Sequence, residues 1–342
     1  MDPDLKVIGS RTDWREHAVL VTGCSGFVGG WLLSRLVASG ARVIGFGRNS
    51  ARAAETLSYL GPRAQITFVQ GSLTGTKSLE QGIQEYSVDT IFHLAAQSKV
   101  DLARRNPTQT FETNLQGTWN VLEAARKVGR KIRVILASTE MVYGDSLAVP
   151  YTEDAPADNL SPYAASKICA EVLAKSYHRT YGIPVCIART SNLYGGGDWG
   201  FERIIPGTIR AVMRGEAPVI KSDAARRRDY LYIEDAISGY MVMAEAMERE
   251  EVTGDTFNLS CDAPVSMATL VETILRLMER TDLRPQVLGE VASDTPVRHS
   301  SSSKARTKLG WCAETSLVAG LKKTIEWYQA HRNEVRLEAQ NR

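Results

Sequence analysis

A tyrosine and a lysine four residues apart, Tyr163 and Lys167 in SPYAASK, are the side chains of this sequence best suited to acid–base chemistry. On a helix this spacing places both side chains on one face. An ammonium group beside a phenol stabilises the phenolate and lowers the tyrosine pKa from its usual value of about 10, so the phenol becomes a usable acid or base near neutral pH. Tyr–Lys pairs at this spacing also arise by chance, so the pair needs support from elsewhere in the chain.

A hydroxyl group at the end of an apolar run gives that support. Residues 137–144, ASTEMVYG, directly follow a β-branched segment that predicts a strand. The carboxyl ends of the strands in open α/β sheets are where ligands bind. Thr139 can therefore hydrogen-bond a substrate oxygen there, although serine and threonine also close strands for purely local reasons.

Three glycines in TGCSGFVGG, Gly23, Gly26 and Gly29, lie between a predicted strand and a predicted helix. A helix N-terminus offers free backbone N–H groups and partial positive charge to a pyrophosphate, and glycine lets the phosphate and the neighbouring backbone come close. The pattern predicts a dinucleotide site, with GxxGxxG in place of the commoner GxGxxG. No acid follows the second strand in GFGRNS. Because Arg48 stands there and could accept a 2′-phosphate, NAD and NADP both remain open.

The elements that must hold these groups alternate between short apolar runs and helical periodicity. Strands are expected at 18–22, 41–47, 66–70, 90–95, 133–138 and 185–189, and helices at 26–39, 76–86, 108–129 and 162–181. Buried strands alternating with helices predict a Rossmann-type, doubly wound parallel α/β sheet. We expect a flexible lead-in over 1–17, the dinucleotide-binding domain with Tyr163 and Lys167 over 18–190, and a smaller, mixed α/β substrate-binding part over 191–342.

The composition excludes several classes of protein. The chain has 342 residues, 43% of them apolar and 23% charged, and a formal net charge of +2. No basic stripe suggests nucleic-acid binding, and no apolar run reaches the length of about 18 residues that a membrane span requires. The five cysteines form no CxxC pair and have no histidine at metal-binding spacing, so we expect no metal site and a cytoplasmic protein.

Several motifs together resemble those of the extended short-chain dehydrogenase/reductases that modify nucleotide sugars. They are GxxGxxG, HLAAQ at 93–97, TNLQGTWNVLEAAR at 113–126, ASTEMVYG and YxxxK. In the second half, NLYGGGDWG…RIIP, RRDYLYIEDA and SKARTKLGW agree with that family. HLAAQ and GGGDW…RIIP look most like CDP-glucose 4,6-dehydratases, whereas RRDYLYIEDA is closer to dTDP-glucose and GDP-mannose dehydratases.

The resemblance implies a tightly bound NAD or NADP that is recycled in each turnover. Ser72 stands where the family usually has an aspartate that reads the adenine amino group. The implied cofactor contacts are Gly23, Ser25, Gly26, Phe27, Val28, Gly29, Arg48, Ser72, Leu73, Leu94, Ala95, Ala96, Asn114, Ser138, Tyr163 and Lys167.

The same resemblance implies a nucleoside-diphosphate sugar as substrate. Hydride would leave C4 of the sugar while Tyr163 removes the hydroxyl proton, Thr139 orients the 4-hydroxyl, and Lys167 holds the nicotinamide ribose. Arg228, in the short basic cluster ARRRD, would neutralise the diphosphate. The implied substrate contacts are Ser98, Thr139, Glu140, Met141, Asn192, Asp198, Trp199, Arg203, Ile204, Arg228 and Arg298.

Two positions leave the reaction open between dehydration and epimerisation. In related 4,6-dehydratases an acid and then a base follow the catalytic threonine, and Glu140 and Met141 occupy those places here. Met141 cannot serve as a base, because a thioether has no useful proton affinity. We expect a 4,6-dehydratase, with a 4-epimerase as the alternative and a catalytically silent nucleotide-binding protein as a third reading. The resemblance also implies a homodimer formed through the helices at 108–129 and 162–181.

Overall fold

The computed structural model describes residues 13–60, 66–144, 148–289 and 295–337. The strands are short and mostly buried, in keeping with the β-branched runs that form them. They are β1 (Ala18–Thr22), β2 (Arg42–Gly47), β3 (Thr67–Gln70), β4 (Thr90–His93), β5 (Arg133–Thr139), β6 (Val185–Thr190), β7 (Asn192–Tyr194), β8 (Val219–Ile220), β9 (Arg227–Arg228), β10 (Tyr230–Tyr232), β11 (Thr256–Leu259), β12 (Val265–Ser266), β13 (Gln286–Val287) and β14 (Val297–Arg298).

Helices alternate with the first strands and dominate the second half. They are α1 (Phe27–Ala38), α2 (Ser50–Leu60), α3 (Lys77–Glu85), α4 (Val100–Arg105), α5 (Pro107–Phe111), α6 (Gly117–Lys127), α7 (Pro162–Tyr181), α8 (Ile204–Met213), α9 (Ile233–Ala246), α10 (Met267–Leu277), α11 (Ser303–Leu309), α12 (Leu317–Ala330) and α13 (Arg332–Leu337). Two short 3₁₀ helices, Trp14–Glu16 and Glu140–Tyr143, and a π-helical segment, Glu112–Gln116, complete them.

Seven parallel strands form the central sheet, in the order β3-β2-β1-β4-β5-β6-β11. The chain adds β2 and β3 on one side of β1, then returns to place β4 on the other side. This reversal opens a crevice at the carboxyl ends of β1 and β4, the place where open α/β sheets bind ligands. The expected Rossmann-type sheet is therefore confirmed.

Helices cover both faces of this sheet, as the alternation in β1 requires. Val19 and Val21 face one apolar core together with α1, α2 and α9, whereas Ala18 and Leu20 face a second core with α3, α6 and α7. Because side chains alternate along a strand, this double burial explains the near-continuous apolar runs of the sequence.

The second half forms small sheets beside the main one and also completes it. The pairs β7–β10 and β8–β13 are parallel, and β9 lies between β12 and β14. The seventh strand of the main sheet, β11, comes from this half and pairs with β6. The two halves of the chain are therefore built into one sheet rather than joined by a linker.

The segment expected to be a flexible lead-in is attached to the core over its described part. Trp14 is buried, and its indole Nε1 donates to Oε1 of Glu245 at 2.8 Å. Residues 1–12 lie outside the described residues. Among the helices in the described ranges, none is both long and apolar enough to cross a membrane.

Candidate active site

The glycine turn lies in the crevice between β1 and β4. Gly23 has a φ of +75°, and a Cβ atom added to it would lie 2.7 Å from the backbone nitrogen of Ala95. A Cβ atom on Gly29 would lie 2.1 Å from the carbonyl oxygen of Gly23. The turn thus requires glycine for two close backbone approaches.

Helix α1 begins directly after this turn with no side chain on its free N–H groups. Its N-cap is Gly26, no side chain caps it, and its first turn contains no acidic residue. Such an N-terminus presents N–H donors and positive potential to an anion. The turn and α1 therefore fit the pyrophosphate of a dinucleotide.

The other residues predicted to contact the cofactor follow the ends of neighbouring strands. Arg48 follows β2, Ser72 and Leu73 follow β3, Leu94 to Ala96 follow β4, and Ser138 lies near the end of β5. All of these ends lie on one edge of the sheet, because its strands are parallel. The structure thus brings the predicted cofactor residues together along the crevice.

Asn114 lies in the π-helical segment that interrupts the helix expected at 108–129. Its side-chain oxygen accepts from the backbone N–H of Gln97 at 2.7 Å, and its Nδ2 donates to Gln97 O at 3.1 Å and to Ser166 Oγ at 2.9 Å. Asn114 therefore joins the loop after β4 to α7. A π-bulge at such a position is a common mark of a functional site.

Tyr163, Thr139 and Lys167 meet at the start of α7 and the end of β5. Tyr163 is buried and hydrogen-bonds Thr139. Lys167, one turn further along α7, donates from Nζ to the carbonyl oxygen of Ala137 at 2.9 Å. The predicted acid–base pair and hydroxyl are therefore neighbours at the carboxyl edge of the sheet.

Burial controls the ionisation of these groups. It raises the pKa of Tyr163 to about 12, against the charge of Arg203 and the hydrogen bond with Thr139, which lower it. The lowering that the Tyr–Lys spacing predicts is therefore not found in the structure, where burial is the largest influence on the tyrosine pKa. Burial also lowers the pKa of Lys167 to about 8, and the negative charge of Glu171 opposes that change.

Glu140 is a buried carboxyl group beside Thr139, with an exposed fraction of 2%. Its Oε1 accepts from Nδ2 of Asn192 at 3.0 Å, whereas Oε2 has no hydrogen-bond partner among the described residues. Burial and the charge of Asp229 raise the pKa of Glu140 to about 8, although Arg298 and Arg228 oppose this. Near neutral pH the group can both give and take a proton.

Arg228 and Arg298 form a cationic pair on adjacent strands. They are register partners in the parallel pair of β9 and β14, and both are buried. Two guanidinium groups side by side suit a diphosphate, because each offers a planar set of donors. Their effect on the pKa of Glu140 shows that they face the same site.

A cavity of about 640 Å³ lies along α8 and β8. Trp199, Arg203 and Ile204, three of the predicted substrate contacts, line it together with Lys99 and Thr208. The hydroxyl of Thr208 is buried and has no hydrogen-bond partner in the described part of the chain, so a bound polar group would satisfy it.

Asp198 and Trp199 hold other side chains around the cavity in place. Nη1 of Arg203 lies 2.9 Å from both carboxylate oxygens of Asp198, which is buried. The Trp199 ring packs edge-on against Tyr59 and Trp327. Asp198 therefore acts on the cavity through Arg203, and Trp199 forms one wall of it.

Sequence reasoning missed a buried ion pair behind Lys167. Nε and Nη2 of Arg189 donate to Glu171 at 3.0 and 2.6 Å, and the Ser138 hydroxyl also donates to Glu171. The signal was present, because Glu171 follows Lys167 at helical i, i+4 spacing. Asp229, whose charge acts on Glu140, was missed because only the fold brings them together.

The fold and this site define a class of enzyme, the extended short-chain dehydrogenase/reductases that act as nucleotide-sugar dehydratases or epimerases. A family model described as GDP-mannose 4,6 dehydratase matches residues 20–324. The chain belongs to this family, and the resemblance read from its motifs is confirmed.

Similar proteins carry out both reactions. A dTDP-glucose 4,6-dehydratase of Neisseria meningitidis is 31% identical over 344 residues, covering 91% of this chain and 92% of that protein. A UDP-glucose 4-epimerase of Thermotoga maritima, solved with UDP-glucose, has a TM-score of 0.84 and 27% identity, covering 92% of this chain and 99% of that one. A dTDP-glucose 4,6-dehydratase of Streptomyces venezuelae, solved with NAD bound, has a TM-score of 0.81 and 28% identity, covering 93% and 98%.

These comparisons confirm the expected class of enzyme and its nicotinamide dinucleotide cofactor. They include dehydratases and epimerases at similar identity, so the choice between the two reactions depends on the chemistry of this site.

Proposed function

We propose that this chain is a 4,6-dehydratase that acts on a nucleoside-diphosphate sugar with bound NAD or NADP. The observation that supports this most strongly is Glu140, a buried carboxyl group next to Thr139 with its Oε2 unpartnered and its pKa near 8. Oxidation at C4 alone needs no acid at this place, whereas removal of a hydroxyl group from C6 does.

Three residues prepare the sugar for oxidation at C4. Thr139 orients the 4-hydroxyl, Tyr163 takes its proton, and the charge of Lys167 stabilises the phenolate that precedes this transfer. The nicotinamide ring, when bound, supplies the hydride acceptor for C4. The diphosphate lies against Arg228 and Arg298, so binding energy from the nucleotide orients the sugar at the reacting groups.

Glu140 then carries both proton transfers of the elimination. The 4-ketone makes the C5 proton acidic, and the ionised Glu140 takes that proton and delivers it to the hydroxyl leaving C6. The proton and the hydroxyl leave together as water, so the step balances without a second base. This matches a site in which Met141 occupies the place next to Glu140 and has no basic group. The bound nicotinamide would supply the hydride for C6, and with a solvent proton at C5 the product would be a 4-keto-6-deoxy sugar.

A 4-epimerase is the second candidate, and Met141 is the observation that favours it. Epimerisation needs Tyr163, Lys167, Thr139 and a ketone that can rotate in the pocket, with no base for C5. The likeness to the UDP-glucose 4-epimerase of Thermotoga maritima agrees with this alternative. Epimerisation gives no role to the buried carboxyl group of Glu140.

The mass of the product distinguishes a dehydratase, an epimerase and a catalytically silent binding protein. The purified protein is incubated without added cofactor with CDP-glucose, GDP-mannose, dTDP-glucose and UDP-glucose in turn. A product lighter by one water molecule from one of them supports the dehydratase and names the nucleotide. A new isomer of unchanged mass overturns it in favour of the epimerase, and no turnover with cofactor still bound overturns it in favour of a silent binding protein.

We also infer a cytoplasmic homodimer, with α6 and α7 forming the contact between the two copies. Trp119 on α6 is 40% exposed and Val172 on α7 is 61% exposed. Cys169, one turn before Val172, is exposed as well. Large apolar side chains exposed on two adjacent helices support an interface there.

A further inference from the structure

A buried histidine, His93 at the end of β4, lies between two threonine hydroxyls. Its Nδ1 lies 2.8 Å from Oγ1 of Thr22, and its Nε2 lies 3.1 Å from Oγ1 of Thr118. Thr22 is the last residue of β1 and immediately precedes the glycine turn, whereas Thr118 lies on α6. The imidazole therefore links the crevice to the helix layer beneath it.

The partners fix every hydrogen atom in this chain of bonds. The Thr118 hydroxyl donates its one proton to the carbonyl oxygen of Asn114 at 2.6 Å, so it accepts from Nε2–H of His93. Burial and the charge of Lys167 lower the pKa of His93 to about 3, so the ring is neutral and Nδ1 accepts from Thr22. The oxygen of Thr22 in turn accepts from the backbone N–H of Ala95 at 3.2 Å.

The same network continues to the catalytic helix. The Asn114 side chain holds the backbone of Gln97 and donates to Ser166, and Ser166 Oγ donates to the carbonyl oxygen of Tyr163 at 2.6 Å. The loop Ala95–Gln97 is thus fixed at its start by Thr22 and at its end by Asn114. Two sets of hydrogen bonds, one ending at the backbone of Asn114 and one starting from its side chain, thus connect the dinucleotide crevice with the backbone of the proposed acid–base residue.

We propose that His93 is a positioning residue that holds the cofactor loop after β4 and the start of α7 at a fixed separation. Its ring is buried with both nitrogens hydrogen-bonded inside the protein, so it has no free atom to offer to a substrate or a cofactor. It acts by placing Ala95, through Thr22, and Asn114, through Thr118. The inference uses the proposed function only for the identity of the cofactor and for the role of Tyr163.

The geometry distinguishes this role from general packing. A histidine that only filled space would leave its neighbours' polar groups to find other partners, but each buried hydroxyl here has its donor and acceptor capacity used within the chain of bonds. Removing one side chain of the network leaves the next buried polar group without its hydrogen-bond partner. The lost free energy then weakens the arrangement of the backbone that lines the crevice. The cavity along α8 and the pair of Arg228 and Arg298 contribute no residue to this network.

Matched variants of Thr118 test the proposal. Thr118→Val keeps the shape of the side chain and removes the hydroxyl, whereas Thr118→Ser keeps the hydroxyl. His93→Leu breaks the chain at its centre. Thr324→Val is the control for stability, because Thr324 is a buried threonine on α12 that donates to Gly320 at 2.7 Å, remote from the crevice. Each variant is measured for NAD dissociation by titration without sugar, for thermal unfolding, and for kcat and KM.

The expected result is a roughly ten-fold weaker affinity for NAD in Thr118→Val and His93→Leu, the scale of a lost buried hydrogen bond. Their kcat falls while KM for the sugar nucleotide stays near the wild-type value, and Thr118→Ser keeps most of both properties. Wild-type NAD affinity in Thr118→Val and His93→Leu would overturn the proposal. So would an equal loss in Thr324→Val, or in Thr118→Ser. The NAD titration needs no turnover, so it tests the role of His93 even if the protein does not catalyse the proposed dehydration.

Discussion

The side-chain amide of Asn192 anchors one oxygen of Glu140 and leaves the other without a partner among the described residues. Nδ2 of Asn192 donates to Oε1 at 3.0 Å and also to the carbonyl oxygen of Asp229 at 3.0 Å, which fixes the amide. The carboxyl group is thereby oriented, so that a single oxygen, Oε2, is left for the proton that the proposed elimination moves.

The pH dependence of turnover follows from three buried groups. Glu140, with its pKa raised to about 8, must be ionised to take the C5 proton, so turnover rises as the pH approaches 8. Above that pH, Lys167, with its pKa lowered to about 8, loses the charge that the reaction needs, while Tyr163, with its pKa raised to about 12, ionises further, and the two changes offset each other. We expect a kcat profile that rises to about pH 8 and then levels off. Lys167→Arg, which stays charged, restores the rise above pH 8; an active variant that levels off at the same pH would show that Lys167 does not cause the plateau.

The same carboxyl group makes stability depend on pH. The pKa of Glu140 is higher in the folded chain than the ordinary value of 4.5, so folding binds a proton between 4.5 and about 8. Its contribution to the free energy of unfolding is unaffected below that window and declines as the pH rises through it. We expect Glu140→Gln to lose less thermal stability than the wild type between pH 5 and pH 9, roughly the ends of the window. Parallel curves in thermal unfolding would contradict this.

Gly29 cannot accept a methyl group. In Gly29→Ala the Cβ atom would lie 2.1 Å from the carbonyl oxygen of Gly23, so the turn and α1 must separate. We expect loss of NAD binding and a lower unfolding temperature. Gly75→Ala is the control, because its Cβ atom would meet only the carbonyl oxygen of Ser72, at 3.9 Å. The NAD affinity and the unfolding temperature are measured for both variants. Similar values in the two would refute the requirement for glycine at position 29 in the dinucleotide site.

The buried pair of Glu171 and Arg189 supports Lys167 from behind. Glu171→Gln leaves the Arg189 charge buried without its counter-ion, and we expect it to cost about 3–5 kcal/mol of stability. The double variant Glu171→Met/Arg189→Met removes both charges and should recover much of that loss. Denaturant unfolding of the three proteins measures this, and a double variant less stable than Glu171→Gln would contradict the account.

The proposed dimer predicts a change of mass in solution. Val172→Arg places a charge on the exposed face of α7, where the second copy would pack, so we expect monomers by light scattering after gel filtration. Val287→Arg is the control, because Val287 is 51% exposed and lies on β13, in the small sheets of the second half. A wild-type protein that is monomeric, or a Val172→Arg protein that stays dimeric, would refute this interface.

The sequence predicts the main sheet well, because buried parallel strands leave apolar runs that helices separate. It does not predict β11, which joins the sheet after a long excursion through the second half and whose pairing with β6 is set by tertiary packing. The π-helical segment at Asn114 was hidden inside an ordinary helical pattern. A π-helical segment has one more residue per turn than an α-helix, and the spacing of apolar residues in the sequence is too coarse to reveal it.

The site divides in the same way. Strand ends and glycine spacing predict where the cofactor residues gather, since all parallel strands end at one edge. The sequence predicts Tyr163 and Lys167 as the acid–base pair but not their ionisation, because burial raises the tyrosine pKa and lowers the lysine pKa. Nor does it reveal that Asp198 holds Arg203, or that Asp229 acts on Glu140, since these contacts depend on how separate loops fold together.

The most direct test of the central claim is the behaviour of Glu140→Gln in deuterated water, with the sugar nucleotide that the mass assay identifies. We expect the variant still to oxidise C4, seen as absorbance of the reduced cofactor, but neither to lose water nor to exchange the C5 proton for deuterium. A product lighter by one water molecule would contradict the role of Glu140 in elimination. Exchange at C5 without loss of water would show that another residue is the base.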